Sequence, residues 1–341
     1  MLEITVKEKV KETADAVTLV LDSPKPLVYK AGQFLTIEVE INEKKERRSY
    51  SFSSCPSIDP YPSITIKKIN NGKVSTFLTE NVQAGDTIQT HPIAGVFTLE
   101  KSKKNNALFI GGGSGITPLM SMIKEALRSK KYTSVFLFYS NRNETTEIFL
   151  EALNKLKESN TSFTIERFYS QSATNPKRLN TSTFLQTVEN LGLNLLDSFD
   201  FFLCGPDGLI EEVESALALL KIPKDSIFKE VFTSSNTNDA VFVGAADTST
   251  DTSKVTVLYQ GNEYIISMIP NKSILESALE QNIDLPYSCM SGMCTACMGK
   301  CVNGKVEMSE QDGLSKTEVN NGFVLTCVGR PSVANTIIEI D

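Results

Sequence analysis

The residues most able to do chemistry are cysteines, and four of the seven lie in one stretch, PYSCMSGMCTACMGKC, at residues 286–301. A disulfide knot, a zinc site and an iron–sulfur cluster are the three chemistries open to such a group. Zinc ribbons and fingers usually pair two short C-x-x-C knuckles, and only Cys294 and Cys297 make one here. Cys289, four residues, Cys294, two residues, Cys297, and then a distant Cys327 is the spacing that ligates a [2Fe–2S] cluster. Three thiolates would come from one loop and the fourth from a separate strand. Ser291, Gly292, Ala296 and Gly299 are small enough to let backbone N–H groups approach the sulfurs. Cys301 is the extra thiol and reads as a small core residue.

A second chemical signal is the run GGGSGITP at residues 111–118, placed where an apolar strand, ALFI, meets the start of a helix. A helix N-terminus behind glycines is an anion site. Thr117 is expected to cap that helix, with Pro118 in its first turn. Ile116 stands where a third glycine would complete the dinucleotide fingerprint, so a plain tight turn is the competing reading. A third signal, Cys204-Gly205-Pro206, lies at the end of the strand FDFFLC, and the carboxyl end of a parallel sheet is where nucleotides bind.

Composition narrows what these sites can be for. A net charge of −7 opposes a nucleic-acid partner and suits a chain that docks with other proteins. One histidine, His91, gives little support to histidine-dependent hydrolysis, so the hard chemistry is expected from a cofactor. The N-terminus alternates apolar and charged residues and is not a signal peptide; no apolar run reaches membrane-spanning length. A cytoplasmic location is expected, which disfavours disulfides.

The elements that must carry the sites divide the 341 residues into segments. Up to residue 101, period-two runs (ITVKEKV, AVTLVLD, QFLTIEVEI, SITIKKI) between turn signals predict an antiparallel β-barrel. From 102 to 233, buried strands alternate with amphipathic helices, including one that carries Phe149, Leu153 and Leu156, and predict a doubly wound α/β nucleotide-binding domain. Residues 234–253 are rich in Ser, Thr, Asn and Asp and read as a linker. From 254 to 341 a strand hairpin, the helix SILESALEQN and the cysteine stretch follow, an α+β segment that resembles a β-grasp-like ferredoxin-type domain.

The cysteine stretch, with GFVLTCVGRP around Cys327, resembles the plant-type ferredoxin domain at the C-terminus of oxygenase reductases. RRSYSFSS carries the R-x-Y-S motif of ferredoxin–NADP reductase-like flavoproteins, and GGGSGITP and Cys204-Gly205-Pro206 match the same family. That resemblance implies FAD, held through Arg48, Ser49, Tyr50 and Ser51: the arginine on the diphosphate, the tyrosine against the isoalloxazine ring, the serine near N5. ITIKKINNGKVSTFL resembles the second flavin motif, with Thr65, Ile66 and Lys67 lining the cofactor and Gly72, Val74, Ser75 and Thr76 around its diphosphate. Glu230 and Phe232 match the family's acidic–aromatic ending. Ser51, Cys204 and Glu230 are the implied catalytic group for hydride transfer from NAD(P)H to the flavin, with Gly113, Thr117, Ser140, Gly205 and Pro206 as further nucleotide contacts. Arg142, Ser170, Lys177 and Arg178 favour NADPH, although Gln171 stands where NADP-type members often place arginine. The implied activity is an electron-transfer reductase passing electrons from NAD(P)H through FAD to the cluster and on to a protein acceptor. The domain order is similar to reductases of phenylacetyl-CoA epoxidase, ring hydroxylases and fatty-acyl desaturases. A multicomponent oxygenase is the expected acceptor and a ferredoxin or hybrid-cluster protein the alternative; an iron–sulfur redox sensor and a flavin oxidase are the rival activities.

Overall fold

The computed structural model describes residues 2–196, 198–232, 254–290, 292, 294–309, 313–314 and 316–340, so the expected linker at 234–253 lies outside the described residues. The chain divides into two compact units, Met1–Phe232 and Thr233–Asp341.

The first unit opens with six antiparallel strands and one helix: β1 (Leu2–Lys11), β2 (Ala16–Asp22), β3 (Phe34–Ile41), β4 (Lys44–Ser51), β5 (Ser63–Lys67), α1 (Lys73–Glu80) and β6 (Thr87–Thr90). They are ordered β4-β3-β6-β1-β2-β5, and a bridge between Phe52 and Ile64 joins the two edges into a barrel. Alternation explains the strands: Ile4, Val6, Leu19, Leu21, Leu35 and Ile37 fill the interior. β4, KKERRSYS, lacks that pattern and was not legible as a strand. Pairing fixes it, with register from Ile41↔Lys44 to Phe34↔Ser51. Asn42 and Glu43 turn the hairpin at φ 53° and 60°, both in the left-handed region that a two-residue hairpin turn needs.

Next come β7 (Asn106–Gly112), α2 (Ile116–Ser129), β8 (Ser134–Asn141), α3 (Leu150–Ser159), β9 (Phe163–Tyr169), α4 (Thr181–Asn190), β10 (Phe199–Gly205), α5 (Asp207–Leu219) and β11 (Ile227–Val231). The strands are parallel in the order β11-β10-β7-β8-β9. One core packs Ile116, Leu119, Ile123 and Leu153 of α2 and α3 on one face of the sheet. Another packs Phe184, Val188, Ile210 and Val213 of α4 and α5 on the opposite face. The sheet is therefore doubly wound, and its order reverses between β7 and β10. Phe149, expected inside α3, instead precedes it as a cap at φ 65°, because a left-handed residue ends the approach to the helix rather than continuing it.

The second unit contains β12 (Lys254–Tyr259), β13 (Asn262–Ser267), α6 (Ile274–Glu280), β14 (Met298–Asn303), β15 (Val306–Met308), α7 (Lys316–Asn320), β16 (Phe323–Leu325), β17 (Gly329–Pro331) and β18 (Thr336–Ile340). The five-stranded sheet runs β13-β12-β18-β14-β16, with β12 and β18 parallel at its centre, which is the β-grasp arrangement. β15 and β17 form a separate pair. Ser273 and Glu276 make a reciprocal capping box at the start of α6, whose Ile274, Leu275 and Ala278 enter the core. Among the described residues no helix is long and apolar enough to cross a membrane.

The reversal point is packed without slack. A Cβ at Gly115 would stand 2.1 Å from the Cys204 carbonyl oxygen, whereas one at Gly208 in α5 would meet nothing within 4 Å. Gly115→Ala is expected to destabilise the first unit by about 2–3 kcal/mol through overpacking. Gly208→Ala is expected to be neutral or stabilising by up to about 1 kcal/mol. Denaturant midpoints of the two variants check the contrast.

Candidate functional site

Strand register builds the first site. Gly111 on β7 pairs with Cys204 on β10, which pairs with Glu230 on β11, so three strand ends lie side by side at the reversal point. Cβ atoms at Gly112 would come within 2.6 Å of Leu209 and 2.7 Å of Pro206. Gly112 and Gly115 are thus glycines because the two motifs pack against each other. Gly113 differs: it sits at φ 53° with Lys67 Nζ, 3.9 Å away, as the nearest atom to its would-be Cβ. The Tyr139 hydroxyl donates to the Gly113 carbonyl at 3.0 Å. In a trans peptide the following N–H, that of Ser114, points the opposite way from that carbonyl. Thr117 does not cap α2. Gly115 occupies the cap position without a side-chain bond, and Thr117 is buried within the first turn. Helix N–H groups left without a side-chain cap, behind an open glycine, fit a nucleotide diphosphate.

Ser51, at the end of β4, meets this row from the barrel. Its hydroxyl donates to the Glu230 carboxyl at 3.3 Å. Burial pushes the Glu230 carboxyl up to about 8, against a smaller lowering by Ser51. Cys204 is fully buried, and desolvation, then the Glu230 charge, raises its thiol well above the ordinary range. At neutral pH the three groups are therefore a hydroxyl, a thiol and a carboxylic acid, none charged. That is a poor nucleophilic site and a suitable lining for hydride exchange. Phe232, 41% exposed, follows at the end of β11.

The other flavin-motif residues fall around the same edge of the barrel. Tyr50 is partly buried, and its phenol is raised by burial. Ser49 shares a hydrogen bond with Thr36 at 2.9 Å. Arg48 donates to the Arg47 carbonyl at 2.6 Å and lies 3.8 Å from Glu46, which also pairs with Lys73 at 2.8 Å. The side chains of Thr65 and Ile66 are spent inside the barrel, Thr65 on Thr18 and Ser53 and Ile66 on the core, which leaves only their backbone to offer a cofactor. Lys67 lies 3.7 Å from Asp15. Gly72 precedes α1, a helix the sequence pattern did not announce although Val74, Phe77 and Leu78 have helical spacing. Val74 faces the core, Ser75 bonds the Ile69 amide and the Gly72 carbonyl, and Thr76 closes the first turn. Lys73, inside ITIKKINNGKVSTFL but given no role by the motif, and Tyr139 are further residues near the site.

The predicted coenzyme residues do not all share one position. Ser140 pairs with Gly112 and Phe168 at the ends of β7 and β9, and the Ser170 amide bonds the Asn141 carbonyl at 3.0 Å. Lys177 lies over the Phe168 ring at 4.7 Å, so its ammonium is directed at its own domain. Arg142 and Arg178 are exposed. Pro206 caps α5 after Gly205.

In the second unit the four motif thiols act on one another. Hydrogen bonding among them raises Cys294 and Cys327 well above the thiol range, while Cys297, which accepts from Cys327, is held below it. The Cys294 amide approaches the Cys289 sulfur at 3.4 Å. None of the seven cysteines is in a disulfide. Four thiols gathered at the edge of an apolar core, with backbone donors toward sulfur, fit an iron–sulfur cluster. Cys327 was expected on a strand but lies in the turn after β16, since pairing with β14 ends at Leu325. Thr326, fully buried, donates both amide and hydroxyl to the Cys297 carbonyl, each at 3.1 Å, and so ties that turn to the cysteine loop. Gly299 serves the sheet instead of the sulfurs: its Cβ would stand 2.6 Å from Ile338. Cys301 is only half-buried and its thiol donates to the Asn303 carbonyl. Ser291 lies outside the described residues.

A carboxyl raised from 4.5 to about 8 keeps its proton in the folded chain across an interval where the unfolded chain has lost it. Its contribution to stability is full below the lower value and is lost as pH rises through the upper one. Thermal midpoints should fall across that window, and Glu230→Gln should flatten the fall. Thr326→Val removes one buried hydroxyl bond, a loss of about 1 kcal/mol, and is expected to speed cluster loss to an iron chelator, read by bleaching of the visible bands.

Comparison with known proteins agrees with this geometry. An oxidoreductase FAD-binding domain model matches residues 1–98, an oxidoreductase NAD-binding domain model 109–215, and a 2Fe-2S iron-sulfur cluster binding domain model 257–332. The chain is 33% identical to the ferredoxin reductase component of 3-ketosteroid-9-alpha-monooxygenase from Rhodococcus rhodochrous, over 98% of this chain and 96% of that protein. It is 30% identical to one of the subunits of 1,2-phenylacetyl-CoA epoxidase from Escherichia coli K12, over 99% of this chain and 97% of that protein. The structure of phthalate dioxygenase reductase superposes with a TM-score of 0.63 at 22% identity, covering 99% of this chain and 98% of that one. The chain therefore belongs to the family of NAD(P)H-dependent, FAD- and [2Fe–2S]-containing reductase components of multicomponent oxygenases.

Proposed function

We propose that this reductase serves the oxygenase component of a multicomponent monooxygenase, that it draws on NADPH, and that Ser51, Cys204 and Glu230 form its hydride-transfer site. The observation that carries the site assignment is the Ser51–Glu230 hydrogen bond, which joins the end of the flavin motif to the end of the nucleotide sheet. When bound, the nicotinamide supplies a hydride, the flavin divides two electrons into single ones, and the cluster carries one at a time.

The chain's own residues supply position and neutrality. Gly113 and the α2 N-terminus would hold the nucleotide diphosphate, and Arg48 with the start of α1 would hold that of FAD. Cys204 would present an uncharged thiol beside the nicotinamide, and Glu230 would keep its proton while accepting the Ser51 hydrogen bond. Cys289, Cys294, Cys297 and Cys327 would ligate the cluster. NADPH is supported by exposed Arg142 and Arg178 near the ends of β8 and β9, where cations would meet a 2′-phosphate. A cytoplasmic site of action is supported by a chain with none of its seven cysteines in a disulfide.

Anaerobic titration of the purified protein with NADPH and, separately, NADH tests this reading. Flavin and iron–sulfur absorbance should both bleach, at lower NADPH than NADH. Equal or greater sensitivity to NADH contradicts the coenzyme assignment. No flavin bleaching by either nucleotide in FAD-replete protein contradicts the hydride site.

A further inference from the structure

The loop that follows the flavin motif, residues 53–62, directs its polar groups at one face of α2. The Ser121 hydroxyl donates to the Ser54 carbonyl at 2.5 Å. The Lys124 ammonium meets the Asp59 carboxylate at 2.8 Å, with both side chains mostly buried. The Cys55 thiol donates to the Glu125 carboxylate at 3.2 Å, and the Ser57 hydroxyl bonds the same carboxylate. Ser121, Lys124 and Glu125 are spaced i, i+3 and i+4, so they form one stripe of the helix. The loop is itself stiffened, because Asp59 accepts the Cys55 amide at 2.6 Å and the Ser54 hydroxyl bonds Tyr29 at 2.7 Å.

An apolar seam runs beside this polar stripe. Ala31 and Phe97 from the barrel share a core with Met122 of α2. A Cβ at Gly32 would stand 1.9 Å from the Phe97 carbonyl oxygen, so glycine is what lets these two barrel segments close, and the Met122 sulfur of α2 comes within 3.0 Å of the same point.

Both ends of the hydride path lead into this contact. The loop begins two residues after Ser51. α2 begins directly after the Gly113–Gly115 turn, and Ser121 lies about 9 Å along the helix axis from Gly115. We infer that Ser54, Asp59, Ser121 and Lys124 are positioning residues: their contact sets the separation of the nucleotide turn from the flavin segment. The inference rests on the reading of Ser51 and Gly113 as flavin and nucleotide contacts. Hydride transfer is sensitive to such a separation, since a misplacement of about 1 Å can cost roughly 100-fold in rate.

Charge exchange tests it. Asp59→Lys and Lys124→Asp are each expected to slow the limiting rate of flavin reduction about tenfold or more. FAD content and the dissociation constant of oxidised nucleotide should stay at wild-type values, because neither cofactor is touched. The double exchange, which restores the ion pair but not the bond from the Cys55 amide, should run faster than either single variant. Ser121→Ala, which removes only a hydroxyl, should slow the same step by a smaller factor and guards against a charge variant that fails to fold. Single variants at the wild-type rate, a double variant no faster than the singles, or nucleotide affinity falling in step with the rate would each overturn the inference. Wild-type reduction by the nucleotide, run as the control, tests the underlying site reading separately.

Discussion

A hydrogen bond between Ser51 and Glu230 joins residues 179 positions apart, and the rest of the first unit is arranged to make it possible. Ser51 must end a barrel strand at a defined register, and Glu230 must end a parallel strand beside Cys204. Neither condition is local. The first requires a closed barrel, the second a sheet that reverses its order between β7 and β10. Desolvation at that junction then favours the uncharged forms of the thiol and the carboxyl alike.

The second unit solves a different problem with a different device. Thiols crowded together repel as thiolates, so they persist as a group only where a cation compensates them. The β-grasp sheet and α6 form a core that does not depend on the cysteine loop for its strand pairing. The loop is fastened instead by Thr326, whose two bonds to the Cys297 carbonyl link the first three cysteines to the last. Cys297 and Cys327 are also buried members of that core, so the loop and the sheet are joined through them as well.

How much of this was legible in the sequence depended on how local the cause was. Period-two strands, helical stripes and the C-x4-C-x2-C spacing are local, and they predicted the barrel, the doubly wound sheet and an iron–sulfur domain. β4 was not legible, because a charged strand is held by register with β3 and carries no pattern of its own. Thr117 was misread as a cap since the chain enters α2 through a tight turn whose last glycine takes that place. The glycine run reads as one anion-binding turn, yet Gly112 and Gly115 answer to Leu209, Pro206 and the Cys204 carbonyl, contacts made about ninety residues away. Asp59 and Lys124 gave no signal, since nothing in either segment indicates that 65 residues later its partner arrives.

The central claim is an internal relay in which the flavin site fills before the cluster. Rapid mixing with C4-deuterated and ordinary nicotinamide nucleotide under anaerobic conditions, followed by optical and freeze-quench electron paramagnetic resonance detection, tests it most directly. The account predicts that flavin absorbance bleaches first and with a primary isotope effect, and that the reduced-cluster signal grows only afterwards. A cluster signal that precedes flavin bleaching, or flavin bleaching that never reaches the cluster, would contradict it.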